Sequence, residues 1–128
     1  MKMQIYDHDS PEAITYKNNS IELENWLEHL TYIDKEITSL LNIAITDRVN
    51  TDDLTPLLSE LENQKKENSI TIDKFNEYRN NLPKAAECED VSCDMFYVNE
   101  HDKYRKSYRA HLENYRKIKE AYFDILSK

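Results

Sequence analysis

The chain has 128 residues, 25 of them acidic and 17 basic, which gives a formal net charge of −8. This length suffices for one domain whose core needs neither disulfides nor metal, and the acidity disfavours binding to nucleic acid or an anionic membrane. There is no glycine, the usual residue in phosphate-binding loops, dinucleotide fingerprints and nucleophile elbows. Nucleotide-loop chemistry, hydrolase-type catalysis and hairpin-rich β structure are therefore disfavoured.

The N-terminal stretch MKMQIYDHDSPEAITYKNN lacks the apolar region of a signal peptide. No apolar run approaches the roughly 20 residues that span a bilayer. Cys88 and Cys93 have no second Cys or His pair at zinc spacing. A bond between them would require a non-helical loop, so free, reduced thiols are expected. We therefore predict a cytoplasmic protein that does not enter a membrane.

The first long helix is predicted over residues 19–48, with Asn19 as its N-cap and Glu22 three residues on. Residues 1–18 form an N-terminal extension, in which SPEA allows a short helix after Ser10. The apolar residues alternate in spacing between three and four, as at the a and d positions of a coiled coil. We call such a line of side chains a seam. The first seam is Leu23, Trp26, Leu30, Ile33, Ile37, Leu40 and Ala44, widened by Leu27, Leu41 and Ile45.

The second helix is predicted over residues 52–82, with Thr51 or Thr55 as its cap and Pro56 near its first turn. Pro83 ends it, because the residue before a proline resists the α conformation. Its seam is polar in the middle. The side chains of lysine and arginine can cover apolar surface while their charges reach water, so we expect this seam to be only partly buried. Its members are Leu54, Leu58, Leu61, Lys65, Asn68, Ile72, Phe75, Arg79 and Leu82.

The third helix is predicted over residues 92–127, and its seam is rich in tyrosine and histidine. That seam is Asp94, Tyr97, His101, Tyr104, Tyr108, His111, Tyr115, Ile118, Tyr122 and Ile125. Basic residues lie on its flanks, and we expect them to pair with the acidic first two helices rather than with nucleic acid. The tyrosines at 104, 108, 115 and 122 should be buried. The basic residues Arg105, Arg109, Arg116 and Lys119 should stay accessible to solvent.

The candidate metal ligands are His29, His101 and His111. If the helices run antiparallel with turns near residues 50 and 87, His29, Asn68 and His101 could share one layer of the bundle. Carboxylate-bridged metal sites in bundles use a glutamate three residues before the histidine, and none of the three histidines has one. We therefore expect hydrogen-bonded core histidines, and we predict no catalytic residue, no cofactor site and no metal site.

The segments WLEHLTYIDKEITSLLNIAI and EHDKYRKSYRAHLENYRKIKEAYFDIL resemble parts of small all-helical flavobacterial proteins of unassigned function. The resemblance implies three long helices and transfers no active residue.

These patterns predict an all-α, elongated, antiparallel three-helix bundle over residues 19–128 with coiled-coil-like seams. The favoured function is that of a non-catalytic interaction or structural protein, not an enzyme. Its partner would be itself or another helical protein, since seams of this kind commonly bind helices. The alternative is a metal-binding bundle that uses the core histidines, and a nucleic-acid-binding protein that uses the basic third helix ranks third.

Overall fold

The computed structural model describes residues 3–46 and 51–127 and consists of three long α-helices. These are α1 (Pro11–Thr46), α2 (Thr51–Asn81) and α3 (Val91–Leu126), with a 3-10 helix (Leu82–Glu87) between α2 and α3. No strand occurs within the described ranges, and the all-α prediction is confirmed. The connection at residues 47–50, which includes the last two residues of the predicted first helix, lies outside the described residues.

The start of α1 differs from the prediction. The helix begins at Pro11, where the Ser10 hydroxyl accepts a hydrogen bond from the Ala13 amide at 3.1 Å. No glycine or further proline interrupts the sequence before Asn19. The short helix and the first long helix are therefore one element, and the predicted N-cap at Asn19 is wrong because that residue lies inside a helix that has already started.

The ends of α2 and α3 lie within one residue of the predictions. α2 begins at Thr51, so Thr55 lies inside it, and it ends at Asn81 before Pro83. Asp90 caps α3, because its carboxylate accepts a hydrogen bond from the Cys93 amide at 2.8 Å. Local chain chemistry fixed these ends.

Hydrogen bonds between the helices define an up-down-up arrangement. Side chains of α1 and α3 meet at a constant separation of 79 residues, in the pairs Glu22–His101, His29–Tyr108 and Glu36–Tyr115. A constant separation means that α1 and α3 run parallel, while α2 runs antiparallel to both. α1 packs closely on α2 and less closely on α3, and long polar and aromatic side chains span the α1–α3 interface.

The hydrophobic core lies where the sequence places the first seam. All seven of its members are buried: Leu23, Trp26, Leu30, Ile33, Ile37, Leu40 and Ala44. Leu27 is also buried and Leu41 partly so. Ile45 is 79% exposed, so its predicted place beside the seam is wrong. It lies in the last turn of α1, where Ala44 is the residue that faces the core.

The predicted seam of α2 is partly buried, as expected, except at Asn68. Asn68 has no exposed surface, and neighbouring Gln64, which was not placed in the seam, is only 2% exposed. Lys65 is partly exposed and Arg79 exposed, and they pair with Asp34 and Glu24 of α1. A buried polar side chain needs hydrogen-bond partners, and α1 and α3 supply them.

Candidate functional site

The first polar layer surrounds His101, which is 1% exposed. The Glu22 carboxylate can only accept, so the imidazole Nε2–H donates to it at 2.6 Å and the Tyr78 hydroxyl donates to Nδ1 at 2.6 Å. Arg105 donates two further hydrogen bonds to the Glu22 carboxylate, at 2.6 and 2.9 Å. The Trp26 ring stacks on His101 with ring centroids 5.0 Å apart. Both ring nitrogens of His101 are thus engaged within the chain.

These contacts shift the pKa values of the layer. The Arg105 guanidinium, helped by His101, lowers the pKa of Glu22 below its usual value. Burial lowers the pKa of His101 and outweighs the opposing effect of the Glu22 carboxylate. Burial also raises the pKa of Tyr78, which keeps that hydroxyl protonated. A protonated, buried tyrosine is a hydrogen-bond donor and a poor nucleophile.

The second layer surrounds His111. Asn68 donates its amide to the Leu30 carbonyl at 2.7 Å, so its oxygen accepts a hydrogen bond from His111 Nε2 at 2.8 Å. The Gln64 amide nitrogen lies 3.4 Å from His111 Nδ1, and the Gln64 oxygen accepts from Asn114 at 2.7 Å. This pattern holds His111 in its neutral form, because an extra proton on Nδ1 would face the Gln64 amide donor. Burial lowers the pKa of His111 accordingly.

The third layer links Glu36 of α1 to α3. Its carboxylate accepts hydrogen bonds from the Tyr115 hydroxyl at 2.5 Å and from Lys119 at 2.8 Å. Although burial opposes ionisation, these two donors lower the pKa of Glu36. Beyond this layer the Tyr122 hydroxyl donates to the Leu40 carbonyl at 2.6 Å. The tyrosines at 115 and 122 are buried, as predicted, whereas those at 104 and 108 are half-buried.

The three histidines lie in different surroundings. His29 is exposed and binds the Tyr108 hydroxyl at 2.6 Å through Nδ1. Asn68 lies opposite His111, not opposite His101, so the predicted layer of His29, Asn68 and His101 is wrong. The 3-10 helix reaches the expected turn at Glu87 and α3 begins only at Val91, so the chain reverses after residue 87 and the pairing of α3 with α2 is displaced. Within the part of the chain that the structure describes, no group of three or more His, Cys, Asp or Glu side chains could hold a metal ion.

The basic flank of α3 pairs with acidic residues of the same chain. Arg105 pairs with Glu22, and Lys119 pairs with Glu36. The spacing between the two basic residues along α3 equals that between the two acidic residues along α1. Because α1 and α3 run parallel, these four residues match in register. The side chains of Arg105 and Lys119 are 29% and 35% exposed, so they keep access to solvent while they face acidic residues of α1, as expected. Arg109 and Arg116 are exposed, as expected.

We expect Tyr108→Ala to lower the free energy of unfolding by about 2 kcal/mol, because the ring stacks on Trp26 at 5.2 Å and its hydroxyl binds His29. The neighbouring change Arg109→Ala is a matched control that should alter stability by no more than about 0.5 kcal/mol. Urea unfolding followed by circular dichroism measures both. A larger loss for Arg109→Ala would show that the basic flank, and not the tyrosine seam, holds α3.

The folded chain should lose stability as the pH falls below about 6.5, the ordinary histidine value. The pKa values of His101 and His111 are lowered on folding, so the unfolded chain binds more protons in this range. Below about 4.5 the protonation of Glu22 and Glu36 adds to the loss, because their folded pKa values are also lowered. Urea midpoints across pH measure this effect. In a plot of urea midpoint against pH, His111→Gln should reduce the fall below about pH 6.5, whereas the control His8→Gln should leave it unchanged. An unchanged plot for both variants would contradict the assignment of this fall to His111.

Cys88 and Cys93 form a disulfide, with Cα atoms 5.5 Å apart. The expectation of free thiols is wrong because Cys88 precedes α3, which begins at Val91. Cys88 therefore lies in the non-helical segment that such a bond requires. The disulfide joins the end of the 3-10 helix segment to the first turn of α3.

This pairing predicts that neither thiol reacts with iodoacetamide in denaturant unless a reductant is added first. Mass spectrometry should show no added carbamidomethyl groups before reduction and two after it. Complete labelling without reductant would show that the thiols are free.

Four large apolar side chains are exposed on the first two turns of α3, beside the disulfide. Val91, Met95, Phe96 and Val98 are 76%, 49%, 55% and 39% exposed, and we call them the α3 patch. The first, second and fourth keep a spacing of four and three along one flank of α3, beside the tyrosine seam. Val98 also lines a cavity of about 80 Å³ with Tyr16 of α1. This stripe was not predicted, although its spacing is visible in the sequence.

Comparison with known proteins gave no match to a family model, a curated protein or a solved structure. The resemblance to flavobacterial proteins therefore stays a prediction. None of the helices, within residues 3–46 and 51–127, is long and apolar enough to cross a membrane.

Proposed function

We propose that this chain is a non-catalytic helical interaction protein that binds a protein partner through the α3 patch. The observation that carries the proposal is the exposure of all four members of the patch within eight residues. Single exposed apolar side chains are ordinary on soluble proteins, whereas a group of them marks an interaction site. The patch lies at the start of a long helix that the Asp90 cap and the disulfide hold in place, which makes it a pre-organised surface.

The polar layers support a structural role for the histidines. A general base or a metal ligand needs a ring nitrogen that faces a substrate or a metal. Both ring nitrogens of His101 and both of His111 instead contact side chains of this chain. We therefore rank metal binding below the interaction function.

Self-association is the weaker of the two partner hypotheses. It rested on a polar second seam left open for further helices, but Asn68 of that seam and the neighbouring Gln64 bind side chains of α3. We retain two further proposals. The helices pack as an elongated bundle with coiled-coil-like seams, and the chain works in an oxidising compartment, where disulfides persist. The second is an alternative to the cytoplasmic location, which was predicted from the lack of an apolar signal region and from reduced thiols.

Site-specific photo-crosslinking tests the interaction function. A benzophenone amino acid placed at position 96 in cells that express the protein should form one dominant adduct with a partner protein. The same group at Ile70, which is 47% exposed on the back of α2, is the matched control and should form little. Equal adduct yields at the two positions, or none at position 96, would overturn the proposal.

A further inference from the structure

We infer that the partner of the α3 patch is a basic amphipathic helix, an inference that rests on the proposed function. It would lay apolar side chains on Val91, Met95, Phe96 and Val98 and set lysine or arginine residues against the acidic surroundings of the patch.

The charges around the patch favour a basic partner. Residues 87–102 contain six acidic residues and no lysine or arginine. Glu100 and Asp102 already pair with basic residues of the following turns. Glu87 and Glu89 are exposed immediately before the patch, and Asp94 lies within it beside the small cavity. Basic groups on a partner would therefore meet acidic groups immediately before the patch and within it.

The shape of the patch favours a helix. Val91, Met95 and Val98 form a stripe at four-and-three spacing, the pattern along which one helix packs against another. Met95 can adapt its unbranched side chain to different neighbours. The cavity of about 80 Å³ beside Val98 offers a recess for one anchoring side chain. No strand edge is exposed in the described ranges, so an extended peptide would find no ladder to join there.

The same charges disfavour a second copy of this chain as the occupant. Two copies that meet through this patch would bring two sets of six acidic residues together. Like charges placed against each other weaken an interface, and the net charge of −8 adds longer-range repulsion.

Fluorescence anisotropy with designed helical peptides tests the inference on the intact, disulfide-bonded chain. The first peptide, about 18 residues long, carries leucines on one helical face and lysines elsewhere. A second replaces each lysine with glutamate, and a third has the first peptide's composition in scrambled order. The lysine peptide should bind at least about tenfold more tightly than either control, and its affinity should fall with added salt.

Variants locate the binding site. The double change Met95→Ser and Phe96→Ser should weaken binding of the lysine peptide about tenfold. The triple change Glu87→Gln, Glu89→Gln and Asp94→Asn should weaken it and reduce its salt dependence. Ile70→Ser, the control, should bind as the wild type does. Circular dichroism confirms that each variant stays helical.

The outcomes separate the two proposals. Equal binding of the lysine and glutamate peptides, or binding that the patch variants leave unchanged, overturns the basic-helix inference. An adduct at position 96 then still supports the interaction function. An adduct with a second copy of the chain also overturns the inference, whereas the absence of any adduct at that position overturns the function itself.

Discussion

Replacing Ile37 with alanine is expected to lower the free energy of unfolding by about 2–5 kcal/mol. Ile37 has no exposed surface and lies in the middle of the α1 seam, among side chains from the neighbouring helices. Its loss leaves a cavity that closely packed neighbours fill only in part. Urea unfolding of the wild type and the variant, followed by circular dichroism, gives the difference.

Ile70→Ala is the matched control, because it makes the same chemical change on the exposed back of α2. It should alter stability by less than about 1 kcal/mol, since little packing is lost there and alanine is the better helix former. If the two variants lose the same stability, Ile37 is not in a core and the assignment of the α1 seam fails.

Asn68→Ala is expected to lower the free energy of unfolding by about 2–4 kcal/mol. The change removes the acceptor of the His111 N–H and the donor to the Leu30 carbonyl in a layer without solvent access at Asn68. A buried donor that loses its partner carries the full desolvation penalty, and the missing amide adds a cavity. Thermal and urea unfolding both measure the loss.

Asn63→Ala, on the exposed face of the same helix, is the control for this second prediction. It should change stability little, or raise it slightly through helix propensity. A loss below about 1 kcal/mol for Asn68→Ala would mean that the second polar layer contributes no net stability and that its partners re-pair with water.

Local chemistry made the helix ends predictable. Pro83 and the spacing of the α1 seam act within a few residues, so their effects can be inferred without knowing the neighbouring helices. The start at Pro11 followed from the same chemistry, since Ser10 and Pro11 are a standard helix opening. The prediction was wrong because it placed a second helix start at Asn19 although no residue between Pro11 and Asn19 ends the first helix.

The pattern of apolar residues could not show which face of α2 is buried. Two lines share Leu61, Asn68, Phe75 and Leu82, all of them buried. One line continues through Lys65, Ile72 and Arg79, and the other continues through Gln64, Thr71 and Tyr78. Both keep the three–four spacing. Burial favours the second, in which Gln64 and Tyr78 are 2% and 5% exposed, because their polar groups find partners on α3.

Which polar residues lie opposite one another along the bundle depends on the tertiary structure and could not be predicted from the sequence. A small displacement of the α2–α3 turn moves each pairing along the bundle, and the 3-10 helix supplied that displacement. The disulfide depended on the same segment, because a helix through Cys88 would have separated the two sulfurs. The α3 patch could have been predicted, because its residues and their spacing are visible in the sequence. Only the more regular tyrosine seam beside it was interpreted.

Amide hydrogen exchange of the chain, alone and with the partner identified by crosslinking, tests the central claim that the α3 patch binds while the polar layers only hold the fold. We expect added protection within residues 91–99 and unchanged exchange across residues 101–122. Protection concentrated in residues 103–119, with none at the patch, would contradict this account and would make the basic flank of α3 the binding surface.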